Sequence, residues 1–81
     1  MKLRLYSPEE YREESGVGAV PEGTVAAVRA YRRLEDEWLD LSPQQAANAL
    51  ELSPEDYEAD EGRGILLLKR MPPGLPPSAG V

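Results

Sequence analysis

Asp36 and Asp40 stand four positions apart, as do Asp56 and Asp60. On a helix that spacing stacks two carboxylates one turn apart, where they could share a divalent cation or divide the work of acid and base. Neither pair lies in a ligand loop of recognised spacing, and a solvated acidic face is the plainer account. Serine chemistry has no support: the chain contains no His, and Ser7, Ser42 and Ser53 each precede a proline, where a hydroxyl caps a helix. Gly62 and Gly64 sit among acids, the wrong setting for phosphate. Without His or Cys the common metal sites and disulfide staples are excluded. The expectation is a protein that is not an enzyme and holds neither cofactor nor metal.

The charge distribution says more than the net value of -6. Residues 42–62 hold six acids and no base, whereas residues 63–81 hold three bases and no acid. Such an acidic segment repels nucleic acid and anionic membranes and steers a basic protein surface toward itself. Arg29, Arg32 and Arg33, joined by Lys2 and Arg4, are the candidate nucleic-acid patch. Read on a helix, the three arginines share one side. Their bland alternative is ion pairing with Glu22, Glu35, Asp36 or Glu37, which the acidic total favours.

The elements that must carry these groups follow from pattern and punctuation. Met1–Tyr6 alternates apolar and basic residues, as a half-buried strand does. Ser7, Pro8 and Glu10 form a capping box, with Tyr6 and Tyr11 as its hydrophobic staple, and the spacing predicts a helix to about Ser15 closed by Gly16. From Val25 to Leu41 the residues Ala27, Tyr31, Leu34, Trp38 and Leu41 recur at helical spacing, which predicts a long helix with Trp38 in the core. The acids Glu35, Asp36, Glu37 and Asp40 crowd its C-terminal half, against the helix dipole.

Ser42-Pro43 and Ser53-Pro54 repeat the start signal twice more. The segments 7–18 and 53–64 look alike, but the shared letters are nearly all helix start and stop chemistry. Ile65–Met71, a short apolar run, fits a buried strand or the start of a buried helix, which periodicity does not separate; strand is favoured because the N-terminal strand otherwise has no partner. An 81-residue chain holds one small core, so residues 1–71 are expected to be a single domain and 72–81 a proline-rich tail, with Arg70–Pro76 a possible polyproline ligand. No segment has the apolar length of a membrane span or the layout of a secretion signal, giving a cytoplasmic expectation.

The stretch Leu41–Ser53, LSPQQAANALELS, resembles the helix-turn-helix of Cro-like phage repressors and related bacterial regulators. Ala47 takes the small packing position, Leu50 and Leu52 flank the turn, Ser53 caps the second helix, and Tyr57 and Glu61 fall at its inward and acidic positions. The resemblance implies a helix-turn-helix-like pair over residues 41–61; with the elements read above, the expected fold is mainly α, within the α+β class: a small helical unit of about four helices and a two-stranded sheet joining the chain ends. It departs at the turn, where Glu51 replaces the usual Gly, at Asp60, and on the outward face, where Glu55, Asp56 and Glu58 would meet phosphate. The functional expectation is therefore a regulatory or interaction module that binds a basic protein through Glu51, Glu55, Asp56, Glu58 and Asp60. The alternative is a DNA-binding regulator, dimeric, using Arg29, Arg32 and Arg33.

Overall fold

The computed structural model describes residues 2–73. The elements in chain order are β1 (Lys2–Tyr6), α1 (Pro8–Ser15), β2 (Ala26–Leu34), β3 (Glu37–Asp40), α2 (Pro43–Ala49), a 3-10 turn (Pro54–Asp56), β4 (Tyr57–Asp60) and β5 (Ile65–Leu68). The strands form one antiparallel sheet in the order β1-β2-β5-β4, with β3 paired to the distal half of β2. The expectation of a mainly helical domain is thus overturned: this is an α+β fold organised by a five-stranded sheet.

β2 explains both the fold and the misreading. Residues Ala26, Val28 and Ala30 turn toward α2, with Leu5, Leu66, Leu68, Ala46 and Ala47. Ala27 turns the other way, toward α1, with Tyr6, Tyr11, Ile65 and Leu67. A strand covered by a helix on each side needs apolar residues at consecutive positions, so its period of two is hidden. The coincidental helical stripe from Ala27 to Leu41 instead spans the β2–β3 hairpin, in which Arg33 faces Trp38 and Leu34 faces Glu37. Glu35 turns the chain at φ 56°. The acids that would oppose a helix dipole lie on a hairpin, where no such dipole exists. Trp38, expected in the core, is 44% exposed.

The helix starts are set by local chemistry. At α1 and α2 the Ser7 and Ser42 hydroxyls accept from the N–H groups of Glu10 and Gln45, whose side chains accept in return from the serine N–H. Gly16, at φ 75°, closes α1 with an N–H bond to the Arg12 carbonyl. α2 ends in a Schellman motif: Leu52 N–H reaches the Ala47 carbonyl at 3.0 Å, Glu51 N–H reaches Asn48, and Glu51 adopts the left-handed φ of 57°. The small side chains of Ala46 and Ala47 are buried and let this helix lie close to the sheet.

At Ser53 the start signal yields only three 3-10 residues, because Tyr57–Asp60 pairs along its whole length with Ile65–Leu68. The second helix of the expected helix-turn-helix pair is therefore a turn and a strand, and the likeness of segments 7–18 and 53–64 extends only to their starts. The chain-end strands also differ from expectation. β1 and β5 do not pair with each other; each lies against an opposite side of β2. Pro72 is buried, and the tail expected over 72–81 falls beyond Pro73 outside the described residues. No helix among the described residues is long and apolar enough to cross a membrane.

Candidate functional site

The sheet carries opposite charge at its two ends, and each end is set by strand alternation. On the α1 side, Lys2, Arg4, Arg29, Tyr31, Arg33 and Trp38 form a basic and aromatic surface beyond the reach of that helix. Pairing places Lys2 opposite Tyr31, Arg4 opposite Arg29, and Arg33 opposite Trp38. Lys2 and Arg33 both stand over the Trp38 ring, each 5.6 Å from its centroid, while Arg29 stands over Tyr31 and Arg4 over Tyr6. A groove of about 580 Å³ runs along β1 here, bounded by Glu10, Tyr31 and Trp38.

The structure divides the expected arginine patch. Arg29 and Arg33 share this face, whereas Arg32, paired with Leu39, is on the opposite one, because strand neighbours alternate and helix neighbours do not. Most of the positive charge is locally answered. Arg4 pairs with Glu14 at 3.2 Å, Arg29 with Asp40 at 2.6 Å and Arg33 with Asp36 at 4.0 Å. The Asp40 hydrogen bond, against the cost of burial, raises Arg29 above its ordinary pKa, and the Arg29 Nε is shielded with no partner among the described residues. Arg4, Arg29 and Arg63 also line a cleft beneath Tyr6 and Tyr11, where the carboxylates of Glu14, Asp40 and Asp60 neutralise them.

The five acids expected to form one binding surface are spread over the turn that closes α2 (Glu51), the 3-10 turn (Glu55 and Asp56) and the edge strand (Glu58 and Asp60). Asp56 and Asp60 face inward and hold the fold together. Asp56 accepts from Arg70 at 3.0 Å and from the Ser53 N–H, and these bonds, the Arg70 one foremost, hold its carboxyl below the ordinary value. Asp60 accepts from the Tyr11 hydroxyl at 2.7 Å and from Arg63 at 3.1 Å. Burial opposes its charge, but those bonds and the Arg63 cation prevail and lower its pKa. Glu51, Glu55 and Glu58 are exposed. The carboxylate pairs at 36/40 and 56/60 therefore do not act as pairs: each of the four has its own cationic partner.

Sequence reading missed the aromatic members of the basic surface, Tyr31 and Trp38, because it had assigned them to a buried stripe. Neither a family model, nor a curated protein, nor a solved structure matches this chain.

Proposed function

We propose that the protein is a small cytoplasmic, non-enzymatic regulatory or interaction module that meets a basic protein surface through its acidic side. The observation that carries this reading is the exposure of Glu51, Glu55 and Glu58 in a stretch, residues 42–62, that contains no base. Asp56 and Asp60 contribute their field from fixed, partly covered positions. Opposite charge across an interface governs the encounter rate and its salt dependence more than the final affinity.

The test compares the wild type with a variant carrying Glu51→Gln, Glu55→Gln and Glu58→Gln in affinity capture at low and high salt. Basic proteins should be retained by the wild type and released by salt, and the variant should associate more slowly with a flatter salt slope. Equal retention and equal salt slope for the two proteins would overturn the reading.

A second reading is DNA binding through Arg29, Arg33 and Trp38, favoured by an exposed ring with two cations over it. Against it stand the three ion pairs on that face and the net charge of -6. Quenching of Trp38 fluorescence by DNA oligonucleotides at moderate salt, lost in Arg33→Ala, would favour this reading over the first.

A further inference from the structure

We infer that the basic protein surface met by the acidic edge is the opposite edge of a second copy of this chain, so that copies join head to tail by pairing β4 of one onto β1 of the next. The inference rests on the proposed acidic interaction surface and names its partner.

Both strands are edges of the sheet, and each pairs on one side only among the described residues. Directions alternate along β1-β2-β5-β4, so β1 and β4 run oppositely. Moving a copy sideways along the sheet therefore brings its β4 antiparallel to β1, the geometry that hydrogen-bonds without any change of fold.

The same movement keeps the faces aligned. Lys2 and Arg4 lie on the α1 side of β1, and Glu58 and Asp60 lie on the α1 side of β4, where Asp60 bonds Tyr11. On the α2 side, Leu3 of β1 and Tyr57 of β4 pack at the margin of the core, and Ala59 is exposed. Arg4 is answered by Glu14 and Asp60 by Arg63 within the chain, so joining the edges brings the positive charge of Lys2 to the edge that carries Glu58 on one face, and sets apolar side chains against one another on the other. Cross-strand pairs of both kinds are favourable.

Charge also rejects the symmetric alternatives. β1 against β1 would oppose Lys2 and Arg4 to their own copies, and β4 against β4 would oppose Glu58 and Asp60 to theirs. Charged edge residues ordinarily prevent sheets from joining. That protection works when both edges carry one sign, and here the signs differ. The contact is heterologous, so growth does not stop at a dimer unless the sheet twist closes a ring. Two short strands bury less than a stable interface of about 1,000 Å² or more, so the association is weak and concentration-dependent.

Sedimentation velocity of the purified full chain, over a concentration series at about 0.01 M and about 1 M salt, spans Debye lengths of roughly 30 to 3 Å. The expected result is a mean mass that climbs with concentration at low salt, passes the dimer value, and falls back at high salt. Lys2→Glu and Glu58→Lys should each be folded by circular dichroism and remain monomeric alone, because with Arg4 paired to Glu14 and Asp60 to Arg63 each change gives the remaining charge of both edges the same sign. Mixing the two variants should restore association, since each then meets an opposite edge.

Failure of the mixture to associate, or a wild type that is monomeric throughout, overturns the inference. If the monomeric wild type still retains basic proteins in a manner sensitive to Glu51, Glu55 and Glu58, only this inference fails and the proposed function stands. If that retention is also absent, both fail.

Discussion

The Tyr11 hydroxyl donates a 2.7 Å hydrogen bond to Asp60, tying α1 to the edge strand β4 across 49 residues of sequence. Arg63 completes the arrangement by bonding both Asp60 and the Ser15 carbonyl at the end of α1. Tyr11→Phe keeps the buried ring and deletes only the donor. A lost hydrogen bond to a charged group costs about 1.5 kcal/mol or more, and for a domain of this size that lowers Tm by roughly 6–12 °C. Thermal melting checks this, and an unchanged Tm would show that Arg63 alone fixes Asp60.

Acid sensitivity follows from three depressed carboxylates. Glu10, held by the Ser7 N–H, Asp56, held by Arg70, and Asp60 all ionise more readily in the folded chain than at their ordinary values of 4.5, 3.8 and 3.8. Because the folded values are the lower ones, their contribution is complete above the ordinary values and is lost as pH falls through the folded ones. Stability from these groups should therefore be level from neutral pH down to about 4.5 and decline below it. Denaturant titrations across this range check the slope, and Asp60→Asn should make the acid limb shallower.

Glu35 and Glu51 both occupy left-handed backbone, at φ 56° and 57°. A side chain bearing Cβ pays about 1–2 kcal/mol there, of which glycine's greater freedom when unfolded returns about 0.5–1. Glu35→Gly and Glu51→Gly should each stabilise the protein by about 0.5–1 kcal/mol. Chemical denaturation of the two variants and their double mutant tests both the gain and its additivity. Destabilisation by either change would mean that the glutamate side chain has a stabilising role that outweighs the backbone strain.

Trp38 and Leu66 separate surface from core. Leu66 is fully buried between β2 and β4, and Leu66→Ala should cost about 2–5 kcal/mol. Trp38→Ala removes two cation–ring contacts and a ring that is 44% exposed, and should cost about 1 kcal/mol, well below the Leu66 change. Paired melting curves decide. A Trp38 variant as damaged as the Leu66 one would place the ring in the core after all.

What could be read in advance was the chemistry of starts. Ser7-Pro8, Ser42-Pro43 and Ser53-Pro54 each begin a helical turn, since a cap and a fixed φ act within one turn of chain: the hydroxyl caps at Ser7 and Ser42, and the Asp56 carboxylate holds the N–H at Ser53. β1 was legible because only one of its sides is apolar over most of its length. β2 was not, since both its sides are covered, and a consecutive apolar run fits helix and strand alike. The conflict was nevertheless visible at Glu35, Asp36, Glu37 and Asp40, acids that a helix C-terminus disfavours. Likewise the length of the element after Ser53 depended on Ile65–Leu68, a partner that no local signal announces. The basic surface was half legible: Arg29 and Arg33 were singled out, but their separation from Arg32 and their union with Trp38 required the strand period.

The central position of β2 also dictates an order of assembly. Its contact with β3 closes a two-residue turn, whereas contact with β1 spans the whole of α1 and its loop, and contact with β5 waits for a segment some forty residues downstream. Short loops close first and distant ones late, so the β2–β3 hairpin is the expected seed. During synthesis from the ribosome, that seed has Ala26 and Val28 exposed along one side until Leu66 and Leu68 emerge. Nascent chains halted before Ile65 should accordingly be sensitive to protease and chaperone-bound, and become resistant as soon as β5 is free to dock.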